Sequence, residues 1–228
     1  MRVPKVEHYT SGEDVAFVEL QAPILIPRHP VITGDRQRKK MITRIERKCR
    51  SSMEYKDLIK YLRTNLHMDE CAFLPNIKTG GRKNGLIQIH HSPFDLYTIA
   101  DIVASKFEKE NGYFNENLIA KEIMQLHYEG LIGLIPLTVT CHDLVHDGKL
   151  PVPLNCVYGR FIEFTQKYYE FIDTDQVAML EEMIDYTKNL TKDDFSILQT
   201  RYIYTSTEGQ LPLDELDIDS IEVEKKTA

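Results

Sequence analysis

Residues 131–148 have the sequence LIGLIPLTVTCHDLVHDG, in which a compact apolar run leads directly into a polar segment with two histidines. The apolar part, LIGLIPLTV, is typical of a buried strand. The polar part, TCHDLVHDG, predicts a short helix that ends at Gly148. On such a helix His142 and His146 lie on one face, with their β-carbons about 5–6 Å apart, so that both imidazoles can approach one ion.

A second pair of histidines ends the segment GLIQIHH, residues 85–91, which has the composition of a strand. The preceding CAFLPNI, residues 71–77, also favours a strand, and the glycine-rich KTGGRKNG between them predicts that the two segments form a hairpin. Adjacent residues of a strand point to opposite faces. Only one of His90 and His91 can therefore join the helical pair around an ion while the other faces a separate target.

Three imidazoles around one ion, with a fourth just outside, suit metal-assisted cleavage of a phosphodiester. The ion would neutralise charge that develops at the scissile phosphate and the leaving oxygen. A neutral imidazole, whose ordinary pKa is about 6.5, can accept a proton from the attacking water. The four histidines thus provide the residue types that this chemistry requires.

The arrangement resembles the HNH, or ββα-metal, nuclease superfamily. That pattern is a strand ending in His-His or Asp-His near a proline, then a second strand and a helix with His-x-x-x-His. IHHSPF and PLTVTCHDLVHDG match it within residues 70–150, most closely in the three-histidine version of the colicin DNases. The resemblance implies that His90, His142 and His146 hold a divalent metal ion (Mg²⁺, Mn²⁺, Ni²⁺ or Zn²⁺), and that His91 is the general base beside His90 in the catalytic centre.

Two features depart from that pattern. The central asparagine of the family has no obvious counterpart, and Asn115 and Asn117 are the substitutes that the intervening segment offers. Two helical patterns, DLYTIADIVASKFEKE and NENLIAKEIMQLHYEG, also stand where the family usually has a loop. Such an insertion adds little to the entropy of closing the loop, so the second departure is compatible with the same site.

The composition is that of a globular protein. The chain has 228 residues, 42% of them hydrophobic, and no apolar stretch near the roughly 20 residues that a membrane helix needs. The N-terminal segment has no apolar core of a secretory signal, and the four cysteines include no CxxC pair. We therefore expect reduced thiols, no membrane association and a cytoplasmic location, in the host cytoplasm if a phage encodes the protein.

The net charge of −7 argues against a protein that coats nucleic acid. Residues 36–50 nevertheless hold eight basic residues against one acidic, and residues 211–228 hold six acidic residues against two basic. The basic run is either a solvated helix face or a phosphate-contacting element. The candidate nucleic-acid contacts are Arg36, Arg38, Lys39, Lys40 and Arg44 in the run, with Arg82 and Lys83 in the glycine-rich turn.

These observations predict an α+β fold. A central ββα-metal unit with inserted helices is preceded by an extended N-terminal arm and followed by a helical C-terminal part. The predicted segments are an arm with the basic helical run (1–68), the HNH-like domain (69–160), a helical region (161–210) and an acidic tail (211–228).

The leading prediction for function is a metal-dependent HNH-type endonuclease that hydrolyses DNA. One alternative is a catalytically silent HNH-like structural or interaction protein, associated with nucleic acid or with a virion. Another is a zinc-stabilised binding module in which Cys141 or Cys156 joins His142 and His146. The compact centre with unfamiliar flanks is similar to small bacteriophage-encoded proteins. DNA is the expected partner, and a homo-oligomer or a phage or host protein partner stays open.

Overall fold

The structure, a computed structural model, describes residues 34–74, 77–80 and 85–190. Within them the chain forms a mostly helical protein with one two-stranded antiparallel sheet, which confirms the α+β class. Nearly all of the predicted N-terminal arm and the whole acidic tail lie outside these ranges. None of the helices found in them is long and apolar enough to cross a membrane.

Helices lie in the three segments quoted above, DLYTIADIVASKFEKE, NENLIAKEIMQLHYEG and TCHDLVHDG, and the described part of the predicted helical region 161–210 contains two α-helices. The α-helices are α1 (Asp35–Ser51), α2 (Met53–Asn65), α3 (Leu96–Asn111), α4 (Glu116–Tyr128), α5 (Val139–His146), α6 (Phe161–Tyr168) and α7 (Thr174–Asn189). The strands are β1 (Ile87–His91) and β2 (Leu134–Thr138), and short 3₁₀ helices occur at Leu154–Cys156 and Tyr169–Phe171.

Contacts divide the described residues into two compact units. Residues 34–58 and 96–129 belong to the first, called the helical unit, and residues 59–74, 77–80, 85–95 and 130–190 belong to the second, called the sheet unit. The four-segment division that the sequence suggests stays a prediction.

In the helical unit, α1 packs against α3 and α4. The side chains that α1 buries recur every three or four residues, as an amphipathic helix requires, and they are Met41, Ile42, Ile45 and Cys49. Arg38 lies at the edge of this contact, where its guanidinium donates to Asp101 Oδ1 (2.6 Å) and Ser105 Oγ (2.8 Å) and pairs with Glu108.

The sheet unit departs from the predicted hairpin. Strand β1 pairs with β2, with Ile87 opposite Thr138 and His91 opposite Leu134, and not with any described residue of 71–77. Cys71 N instead donates to Ile77 O (2.9 Å), and Ala72 N donates to Pro136 O (2.8 Å). The reason is burial: all five residues of β2 are buried, whereas among the described residues of 71–77 only Cys71 and Ala72 are.

Aromatic side chains of α6 form much of the remaining core of the sheet unit. Phe164 stacks on Tyr168 with ring centroids 4.7 Å apart, and it contacts Phe94 at 6.1 Å. Helix α7 begins with a capping box made by Asp173 and Gln176. These aromatic side chains are therefore part of the core packing.

Candidate metal centre

Three histidines from two elements of the sheet unit converge on one point. The ring centroid of His90 lies 5.0 Å from that of His142 and 5.0 Å from that of His146, and the latter two are 4.5 Å apart. One ring nitrogen from each lies within 4.8 Å of the others. Three nitrogens at about 2.0–2.1 Å from a shared ion are within such a distance of one another.

Helix α5 places two of these rings. Thr138 is both the last residue of β2 and the N-cap of α5, where its hydroxyl accepts from Cys141 N (3.2 Å). No loop intervenes, so the direction of the helix follows from that of the strand. His142 and His146 then share a face through their i, i+4 spacing, and the helix stops before Gly148, whose φ of 67° favours glycine.

Strand β1 places the third ring. His90 lies opposite Ile135 in the antiparallel register, and Arg63 Nη2 donates to Ile87 O (2.8 Å) at the start of the strand. Just beyond the strand, Ser92 N donates to Gly133 O (3.0 Å). A β-carbon at position 133 would lie 1.9 Å from Ser92 O, so this close approach requires glycine.

The three rings differ in exposure. His90 is buried at 7% exposure, the side chain of His142 is 23% exposed, and His146 is exposed. Asp143 Oδ1 lies 3.8 Å from Nδ1 of His142. The cluster therefore has a closed side formed by the sheet and an open side toward solvent at the end of α5.

The donor set indicates which ions fit. Imidazole nitrogen suits Zn²⁺ and Ni²⁺, whereas Mg²⁺ and Mn²⁺ prefer oxygen ligands. Within the described part of the chain, the converging group contains no carboxylate. Of the four ions that the resemblance implies, Zn²⁺ and Ni²⁺ fit these residues best.

Comparison with known proteins places the chain in a viral family. Residues 27–212 match the model of a family described as Bacteriophage G278-like virion protein. The chain belongs to this family. No curated protein and no solved structure matches it. The predicted link to bacteriophages is thus confirmed in the form of a virion protein family, and the nuclease resemblance gains no support from the match.

The fourth histidine, His91, lies next to the cluster but not within it. His91 follows His90 in the same strand, so regular strand geometry directs the two side chains to opposite faces. His91 is buried, at 3% exposure. Its role as a general base, and the catalytic role of His90, stay predictions.

The cysteines do not take part in the cluster. Cys141 and Cys156 are buried, and no cysteine belongs to the converging group found among the described residues. Burial raises the pKa of the Cys141 thiol, and the neighbouring Cys71 raises it further. Cys71 Sγ also accepts from Thr138 N (3.4 Å). Cys71 and Cys141 therefore behave as small core side chains at the start of α5.

The two asparagines considered as substitutes for the family's central asparagine have other contacts. Asn115 is the N-cap of α4, accepting from the backbone N–H groups of Asn117 and Leu118. Asn117 accepts from Lys48 Nζ (2.8 Å). Both belong to the helical unit, where capping and a surface hydrogen bond explain them.

The basic candidates divide into three groups. Arg36, Lys39 and Lys40 are exposed on α1, whereas Arg38 and Arg44 pair with acidic side chains of α3 and α4. Arg82 and Lys83 lie outside the described residues. Arg47 was not among the candidate nucleic-acid contacts. It is exposed one helical turn beyond Arg44, and the same three-and-four spacing identifies it.

Proposed function

We propose that this member of the family is a component of the phage particle that binds one divalent transition-metal ion through His90, His142 and His146. The observation that carries the proposal is the convergence of three imidazole nitrogens within 4.8 Å. The family supports the virion role, and the donor set supports a metal such as Zn²⁺ or Ni²⁺.

The positions of the ligands suggest what the ion does for the fold. An ion held by all three rings would join β1 to α5, two elements that also contact each other directly. A ligand that binds only the folded state stabilises it, by about 2.7 kcal/mol when its concentration is 100 times Kd. A metal-bearing sheet unit would therefore resist unfolding better inside a particle than the same unit without the ion.

Metal content and affinity test this role. We expect the full chain to bind one Zn²⁺ per molecule by calorimetry, and His146→Asn to weaken binding by about tenfold or more because a tetrahedral site loses one of its protein ligands. His67→Asn is the matched control: it removes an exposed histidine outside the cluster, at a φ of 54° that asparagine tolerates. Equal affinity in the parent and in His146→Asn would contradict the proposal.

A second candidate function is metal-dependent hydrolysis of DNA phosphodiesters. The specific observation in its favour is the open side of the cluster at His146, since hydrolytic sites leave a position for water or substrate beside three protein ligands. The ion would supply Lewis-acid stabilisation of the phosphate charge. His90, His142 and His146 would hold it, and His91 would accept the proton of the attacking water.

Plasmid nicking separates the two functions. With Zn²⁺, Ni²⁺, Mn²⁺ or Mg²⁺ supplied in turn, hydrolysis predicts nicking by the parent and its loss in His91→Asn at unchanged Zn²⁺ content and circular dichroism. Binding of Zn²⁺ without nicking under any of these ions would remove the hydrolytic function and leave the metal-bearing structural role in place.

A further inference from the structure

The basic run on α1 has two sides with different surroundings. Inside the helical unit, Arg38 pairs with Asp101 and Glu108. Glu116 binds both Arg44 Nη2 (2.6 Å) and Lys48 Nζ (3.0 Å). These cations are neutralised by α3 and α4, so they connect the helices of the unit.

The other side of α1 carries cations that take no part in these ion pairs. Four of them form what we call the basic face: Arg36, Lys39, Lys40 and Arg47. All four are exposed, and none forms an ion pair with any residue in the ranges that the structure describes. Their spacing of three, one and seven residues places them along one face of the helix, over about 16 Å of its axis.

The basic face lacks the apolar anchors of a protein–protein interface. Such interfaces have a core of aromatic and apolar side chains in which the strongest contacts lie. The apolar residues of α1 are all turned inward, and no large hydrophobic side chain of this helix is exposed. A partner must therefore be held by charge alone.

We infer that the basic face binds the phosphate backbone of double-stranded DNA without reading its sequence. A duplex presents one negative charge per about 1.7 Å of its axis, so several phosphates lie within reach of a 16 Å row of flexible cations. An acidic protein surface would supply fewer and less regular charges. The inference does not depend on the metal cluster, because all four residues belong to the helical unit.

The local charge explains how an acidic chain can bind a polyanion. The described residues of the helical unit contain 12 basic and 10 acidic side chains, whereas those of the sheet unit contain 7 basic and 12 acidic. The helical unit, which carries the basic face, therefore has no excess of negative charge in its described part.

Fluorescence anisotropy with a labelled duplex of mixed sequence tests the inference on the full chain. We expect binding that weakens steeply with NaCl, since each neutralised phosphate adds about 0.9 to the slope of log K against log salt. Replacing the four basic-face residues by glutamine should weaken binding by about tenfold or more at low salt and reduce that slope by up to about 3–4.

The control variant removes the same charge elsewhere. Four exposed lysines outside the basic face are replaced by glutamine: Lys56, Lys60, Lys109 and Lys188. Circular dichroism checks that both quadruple variants keep the helical content of the parent. The inference is supported if the control variant binds the duplex with nearly the affinity of the parent while the basic-face variant binds it more weakly.

Three results would overturn the inference. The first is an equal loss of affinity in both variants, which would indicate an effect of overall charge. The second is no binding of the duplex by the parent, and the third is displacement of the duplex by poly-glutamate at matched charge concentration, which would indicate an acidic protein partner. None of these results bears on Zn²⁺ binding, which is measured separately.

Discussion

The helical unit and the sheet unit are built by contacts of different range along the chain. In the helical unit, amphipathic helices meet through faces that their own three-and-four spacing defines, and ion pairs such as that of Arg38 with Asp101 bridge them. In the sheet unit, β1 meets a strand more than 40 residues later, and the histidine cluster exists only because of that pairing. Site formation thus depends on long-range register, whereas the basic face depends on a single helix.

The two units also differ in their use of polar residues. The helical unit neutralises cations on its inner side and keeps others on its surface. Both units bury polar side chains, Ser52, Glu54 and His127 in the helical unit, but those of the sheet unit include a group at its two strands: His90, His91, Ser92 and Thr138. Buried polar groups require fixed partners, so small changes at these strands should disturb the geometry of the cluster.

The largest expected effect is that of Gly133→Ala on the sheet unit. Because the new β-carbon would lie 1.9 Å from Ser92 O, the backbone must move where β1 ends and β2 begins. We expect a loss of about 3 kcal/mol or more in the free energy of unfolding, together with a loss of Zn²⁺ affinity. Urea unfolding followed by circular dichroism measures the first, and calorimetry the second.

Gly34→Ala in the helical unit is the control, because a β-carbon there meets nothing within 4 Å and the φ of 174° is extended. Its stability should remain within about 0.5 kcal/mol of the parent. If Gly133→Ala were equally harmless, the close approach of the two strands would not constrain the sheet unit.

The same contrast explains what could be predicted from the sequence. The bounds of α3 and α4 follow from local signals, such as the Asn115 cap. The helical histidine pair, His142 and His146, follows from spacing alone. The partner of β1 does not, because residues 71–77 and 131–139 are both plausible strands, and only burial in the complete unit decides between them.

The paired state of the basic run could not be predicted either. Arg38 and Arg36 look alike in the sequence, yet one is held by Asp101 and the other is exposed. The acidic partners lie more than 60 residues away, on helices whose packing angle a periodic pattern does not encode. The convergence of His90 with the helical pair was expected only from a resemblance, and the ion itself stays a proposal.

A second effect, on the helical unit, is a dependence of stability on pH through His127. Burial, reinforced by the charge of Arg50, lowers the pKa of His127 to about 4, although Nδ1 donates to Ile123 O (2.8 Å). In the unfolded chain the pKa of His127 is near 6.5. Between pH 4 and 6.5 the unfolded state therefore binds the proton more readily than the folded state. The free energy of unfolding should therefore fall as the pH drops from 6.5 to 4, by up to about 3 kcal/mol.

Urea unfolding at pH 7, 5.5 and 4 measures this dependence. His127→Gln removes the titrating group and should flatten that part of the profile, whereas His67→Gln, at an exposed position, should keep it. Carboxylates titrate in all three proteins, so the difference between the variants isolates His127. Parallel profiles would show that the buried imidazole does not contribute.

The smallest effect compares the N-caps of two helices, one in each unit. Thr138→Val removes the hydroxyl that accepts from Cys141 N, and Asn115→Ala removes the side chain that caps α4. Each change should lower the free energy of unfolding by about 1 kcal/mol, the usual contribution of a cap. Only Thr138→Val should also weaken Zn²⁺ binding, by a few-fold, because that cap sets the first turn of the helix that carries His142. Equal Zn²⁺ affinity in the two variants would mean that the rings hold their positions without the cap, and that register alone places the cluster.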